Sequence, residues 1–120
     1  MNQLSHARIF LSTRPISMNC TIDHLMRQAQ EIFDQDPLSG HLFLFFNGDR
    51  DQIKILFWDR DGFCIWHKRL EAGTFQLPTT TNHEQGVELN EVQLNRLLGG
   101  VDLESGRRRR RYHRVAQNLF

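Results

Sequence analysis

One stretch, Gln52 to Glu71, narrows the fold more than any other. Gln52–Trp58 and Phe63–Glu71 are rich in β-branched and aromatic residues. They are separated by Asp59-Arg60-Asp61-Gly62, a turn composition. A two-residue or a four-residue loop gives the same pairing: Trp58 opposite Phe63, Leu56 opposite Ile65, Lys54 opposite His67. Side chains alternate across a strand. One face of the hairpin is therefore Lys54, Leu56, Trp58, Phe63, Ile65, His67 and Arg69. The other is Ile53, Ile55, Phe57, Cys64, Trp66, Lys68 and Leu70. Each face carries several large apolar groups, so the hairpin needs cover on both sides.

The flanking sequence extends this hairpin. His41–Phe46 is almost wholly apolar and reads as a buried strand, joined to the hairpin through Asn47-Gly48-Asp49-Arg50-Asp51. Gly73 and a short strand at Thr74–Leu77 close the run. Upstream, residues 8–12 read as a first strand. Ile22, Leu25, Met26, Ala29, Ile32 and Phe33 recur at helical spacing, with Thr21 as N-cap and Asp36-Pro37 as the stop. Pro78 to Gly86 reads as a polar surface loop. A shorter helix follows, with Asn90 as N-cap, Gln93 completing a capping box, Leu89 and Leu94 as a staple, and Gly99-Gly100 as the stop. The expected fold is one α+β domain. An antiparallel meander of four to five strands packs with one longer and one shorter helix. With 120 residues there is little room for more. Apolar faces on both sides of the sheet, with nine phenylalanines in the chain, make a homodimer an expectation.

Charge divides the chain in two. Residues 1–104 carry nine Lys/Arg against fourteen Asp/Glu, a balance of −5, while residues 105–120 carry six Arg and no acid. The expected organisation is a domain over 1–104 and a basic, disordered tail over 105–120. Arg107, Arg108, Arg109, Arg110, Arg111 and Arg114 can each grip a phosphate as a bidentate fork, and Tyr112 and His113 can stack on bases. Read without a nucleic-acid partner, the same run is a solvated tail that pairs with the acidic body. No stretch reaches the roughly 18 apolar residues of a membrane span. The N-terminus lacks a signal-peptide pattern, so a cytoplasmic location is expected. Cys20 and Cys64 form no disulfide framework.

Catalytic patterns are weak. Asp49, Asp51, Asp59 and Asp61 have the spacing of nuclease metal ligands, yet they occupy hairpin turns, where Asp serves its own backbone. Cys64 and His67 fall on opposite strand faces. Ser39 and His41 lack an acid partner and a nucleophile elbow. No four-ligand zinc pattern and no phosphate-cradling glycine loop is present. The reading is of a chain that is not an enzyme and needs no metal or cofactor.

The run Asp36-Pro37-Leu38-Ser39-Gly40-His41-Leu42-Phe43-Leu44-Phe45 is followed by Ile53-Lys54-Ile55-Leu56-Phe57-Trp58-Asp59. Then come Asp61-Gly62-Phe63-Cys64-Ile65-Trp66-His67-Lys68-Arg69-Leu70-Glu71, Gly73 and Phe75. Together they resemble the TnpB accessory proteins encoded by the second reading frame of insertion sequences of the sixty-six family. The resemblance extends from Arg8 to Leu103. It implies a small bacterial protein that assists DNA transposition beside a separate transposase of the same element, without cutting DNA itself. Members carry basic residues before the first helix, where this chain has Ser17, Met18, Asn19 and Cys20. They also carry arginines in the first hairpin loop, where only Arg50 remains. Arg50, Lys54, Lys68 and Arg69 are the matching basic positions and, with the arginine run, the expected contacts to DNA or the transposase. The alternative is a protein-interaction module without DNA binding, a repurposed copy.

Overall fold

The computed structural model describes residues 7–79, 84–103 and 105–112. Its elements are β1 (Ile9–Ser12), α1 (Ile22–Phe33), a 3₁₀ turn (Pro37–Ser39), β2 (Leu42–Phe46), β3 (Gln52–Asp59), β4 (Gly62–Arg69), β5 (Gly86–Leu89) and α2 (Glu91–Gly99). The α+β class and the two helices agree with the sequence reading. The β3–β4 hairpin has the expected register, Trp58 opposite Phe63 through Lys54 opposite His67, and continues to Gln52 opposite Arg69.

The sheet is mixed, in the order β4-β3-β2-β1-β5. β1 runs parallel to β2, with Ile9 beside Leu42 and Leu11 beside Leu44. Parallel neighbours need a long crossover, and α1 provides it. The expected all-antiparallel meander thus holds for β2–β3–β4 and gives way at β1. The fifth strand is also placed differently. Thr74–Leu77 forms no strand: Phe75 is buried there, and its N–H bonds the Arg50 carbonyl at 2.7 Å. Gly86–Leu89 pairs antiparallel with β1 instead. Four residues carry too little alternation to announce a strand; β1's open edge makes them one.

β2 is the middle strand and feeds two cores. Phe43 and Phe45 join Phe10, Leu25, Ala29 and Leu56 on the α1 side. Leu44 and Phe46 join Leu11, Ile53, Ile55, Leu70, Phe75 and Leu97 on the α2 side. The apolar faces that raised the expectation of a homodimer therefore have cover within the chain. Both helix caps form as read. Thr21 accepts from the His24 N–H at 3.1 Å, and the Asn90–Gln93 capping box closes in both directions at 2.8 and 2.9 Å. α1 stops earlier than its proline requires, at Asp34, which takes the left-handed conformation (φ 51°) and bonds the Gln30 carbonyl.

At the β1–β2 junction, His41 Nδ1 accepts the Arg8 N–H at 2.9 Å, and its ring lies edge-on to Phe10. Burial, and then the charge of Arg8, hold this imidazole below its ordinary 6.5. The unfolded chain thus protonates first as pH falls, so this contribution is present above about pH 6.5 and lost below it. Glu88, held below 4.5 by its hydrogen bond from Arg8, titrates in a more acidic window. Urea midpoints at neutral pH and near pH 5 should show a smaller acid loss for His41→Gln than for the parent. An equal loss excludes His41 as the source.

Candidate nucleic-acid interface

The arginine run begins as an extended segment that returns along the domain. α2 is capped by Gly100 (φ 78°), whose N–H reaches the Arg96 carbonyl. The chain turns near Gly106 and comes back beside residues 100–102. The Asp102 N–H bonds the Arg107 carbonyl, Val101 bridges Arg108, and the Arg109 N–H bonds the Gly100 carbonyl. An extended segment alternates its side chains, and this one does. Arg109 and Arg111 are half-buried, while Arg108, Arg110 and Tyr112 are exposed. The alternation divides a uniform run of charge into an inner and an outer row.

The inner row is a clasp. Arg109 donates to the Thr74 carbonyl and hydroxyl at 3.2 and 3.0 Å. Arg111 donates to the Thr74 carbonyl at 3.1 Å and to the Arg110 carbonyl at 2.9 Å, and lies 5.3 Å over the Phe75 ring. It also packs against Gly100, just past the C-terminus of α2, where the helix dipole favours a cation. Burial first, then the neighbouring charge of Arg109, lower the proton affinity of Arg111. Its Nη2 is buried and lacks an acceptor among the described residues. Gly73 permits the close approach. It has φ 82°, and a methyl there would lie 2.0 Å from the Arg110 carbonyl oxygen.

Between this clasp and the end of β4 lies an open cleft of about 390 Å³. Lys68, Arg69 and Glu71 line one wall, and Leu98, Gly99, Arg111 and Tyr112 the other. The structure thus gathers Lys68, Arg69 and Arg111, which sequence places some forty residues apart. Arg69 also pairs with Glu71 at 3.1 Å, both well exposed. Exposed Arg107, Arg108 and Arg110 ride on the same return segment.

The remaining candidates lie elsewhere. Lys54 lies on β3, an inner strand, and its ammonium donates to the Met18 carbonyl at 2.6 Å. Arg50 is exposed in the β2–β3 turn with φ 60° and, with Arg14, lines a separate cavity of about 80 Å³. Arg114 and His113 lie outside the described residues, as does the rest of the expected tail to Phe120. Trp58, on the same hairpin face as Lys54, packs edge-on against Phe63 at 5.1 Å. Trp66 on the opposite face is instead 43% exposed. Its parity with Lys68 was the available signal. Asp51 is held in its turn by Asn47 at 2.6 Å, as hairpin chemistry requires. Ser39 and His41 serve the backbone: the Ser39 hydroxyl accepts the His41 N–H at 3.2 Å.

Residues 7–108 match the family described as IS66 Orf2 like protein. The chain belongs to the IS66 Orf2-like family. The match runs past Leu103 and takes in the pairing of Val101 with Arg108, so the first turn of the return segment falls within the family region. Two relatives come from Sinorhizobium fredii (strain NBRC 101917 / NGR234). "Uncharacterized protein y4hO" is 30% identical over 97 residues, covering 81% of this chain and 83% of that protein. "Uncharacterized protein y4jC" is 24% identical over 95 residues, covering 79% and 80%. No solved structure matches the chain. The IS66 Orf2-like proteins are accessory proteins of IS66 transposition and not a known enzyme family. Among the described residues, no helix is long and apolar enough to cross a membrane.

The clasp yields a stability prediction. Gly73→Ala combines left-handed strain with the Arg110 clash, and should cost about 1 kcal/mol or more. It should also speed tryptic cleavage within 107–111. Gly48→Ala, where a methyl meets nothing within 4 Å, should stay within about 0.5 kcal/mol of the parent. Chemical denaturation and limited proteolysis read both.

Proposed function

We propose that this protein assists transposition of its own insertion sequence by holding DNA phosphates on the cationic surface between the end of β4 and the returning arginine segment, and by engaging the transposase of the same element. It does not cut DNA itself. The supporting observation is the convergence of Lys68, Arg69 and Arg111 on one cleft, with Arg107, Arg108 and Arg110 exposed beside it. Guanidinium forks and an ammonium suit phosphate oxygens, and each neutralised phosphate releases counterions. The setting proposed with this reading is the bacterial cytoplasm.

A second reading follows from β4, whose outer edge has no neighbouring strand among the described residues. An open edge can accept a strand from a partner, either the transposase or a second copy of this chain. Under that reading the protein is an interaction module without DNA binding. Pull-down with the transposase after nuclease treatment, together with sedimentation of the isolated protein, distinguishes it.

Fluorescence anisotropy of the full chain with labelled DNA tests the first reading. With about four phosphates engaged, affinity should fall on the order of a hundredfold between roughly 50 and 200 mM salt. Replacing Arg107, Arg108 and Arg110 together by Gln should weaken binding and flatten the salt dependence. Arg27→Gln, exposed on α1, should leave both unchanged. Side-chain replacement is preferable to deleting residues 105–120, because deletion also strips the clasp from Phe75. Absence of binding at low salt would sink the DNA reading.

A further inference from the structure

We infer that the DNA held on this surface is single-stranded. The inference rests on the DNA reading above and adds the class of substrate. Two large aromatic groups remain exposed beside the cations: Trp66 at 43% and Tyr112 at 61%. Trp66 and Lys68 are two residues apart on β4 and share the face whose neighbours on β3, Ile55 and Ile53, belong to the α2-side core. Their Cα atoms are about 7 Å apart along the strand. Tyr112 lines the same cleft as Lys68 and ends the outer row formed by Arg108 and Arg110. An exposed aromatic thus stands beside exposed cations on β4, as Trp66 with Lys68, and on the return segment, as Tyr112 with Arg108 and Arg110.

That juxtaposition suits one form of DNA. In a duplex, base faces are covered by the bases above and below, and a protein meets phosphates and base edges only. Flat aromatic side chains then have nothing to stack on, and the cations alone would suffice. An unpaired strand offers phosphates and open base faces in turn, which is the pattern read by stacking platforms set in a basic groove. The surface is also prepared in advance. Trp66 stands on a paired strand, and Tyr112 follows Arg111, whose side chain is fixed on Thr74 and Phe75. The backbone that carries each ring is thereby anchored before binding.

The chain has two tryptophans, so Trp58→Phe leaves Trp66 as the sole indole reporter. The experiment compares a labelled oligothymidine with a duplex of equal length, using full-length protein, by anisotropy and by tryptophan emission. The expected result is tighter binding of the single strand with quenching of Trp66. Trp66→Leu and Tyr112→Leu should each weaken single-strand binding on the order of tenfold and leave duplex binding unchanged, and Tyr112→Phe should retain it. Thermal melts confirm that each variant folds, and Tyr112→Leu carries the test if Trp66→Leu does not. Duplex bound as tightly as the single strand, or no effect of either aromatic substitution, overturns the inference while leaving salt-dependent DNA binding in place. Failure to bind either form overturns both.

Discussion

Everything in this fold follows from a strand that no single layer can satisfy. β2 places Phe43 and Phe45 on one side of the sheet and Leu44 and Phe46 on the other, all fully buried. Burying one such side chain contributes on the order of 2 kcal/mol, so leaving either face wet would cost several times that. Each face must therefore be covered from the chain itself or by a partner. α1 covers the first, and because it lies between β1 and β2 in sequence, it makes those strands parallel. The second face is larger than α2 can cover. A nine-residue helix contributes Leu97, with Leu94 and Leu98 beside it. Leu70 and Phe75 fill the remainder from an irregular segment.

Irregular segments leave polar backbone at the edge of a core, and here the arginines meet that need. The Thr74 carbonyl receives both Arg109 and Arg111, and the Phe75 ring is roofed by the Arg111 guanidinium. Arginine suits this place because its planar head stacks on a ring while its edge donates to carbonyls. The clasp and the outer row are then one feature. With Arg109 and Arg111 turned inward on an extended backbone, Arg108, Arg110 and Tyr112 can only face out.

The local parts of this arrangement were readable in the residues. The β3–β4 register was legible because either loop length gives the same pairs, and both helix caps because Thr21, Asn90 and Gln93 act on neighbours a few residues away. The parts that depend on distant partners were not legible. Gly86–Leu89 becomes a strand only beside β1. Lys54 was read onto its hairpin face, but its place on an inner strand was not legible, since strand order is not written in a hairpin. The inward turn of Arg109 and Arg111 had no signal in a run of identical residues. Its traces lie elsewhere, in Gly73 and Gly100, which make room for it.

Net charge, finally, is the wrong quantity for judging this surface. The excess acids of residues 1–104 would seem to repel a polyanion, but their placement matters more than their number. β4 begins beside the turn carrying Asp59 and Asp61 and ends at Lys68 and Arg69. Seven residue steps along a strand separate those ends by about 23 Å. At physiological ionic strength the screening length is about 8 Å, so the acidic turn lies nearly three screening lengths from the cleft and its repulsion there is small. Arg109 and Arg111 bond a carbonyl and cover a ring, so their positive charge remains unneutralised by any carboxylate in those contacts. Glu71 is the acid at the cleft itself, and it is paired with Arg69 at 3.1 Å, which leaves Lys68 and Arg111 as the cations there with no carboxylate contact among the described residues. The β3–β4 hairpin thus carries Asp59 and Asp61 at its turn, while Lys68 and Arg69 at the other end share their cleft with Glu71. The local arrangement of charge, rather than the net balance of the chain, sets the field there.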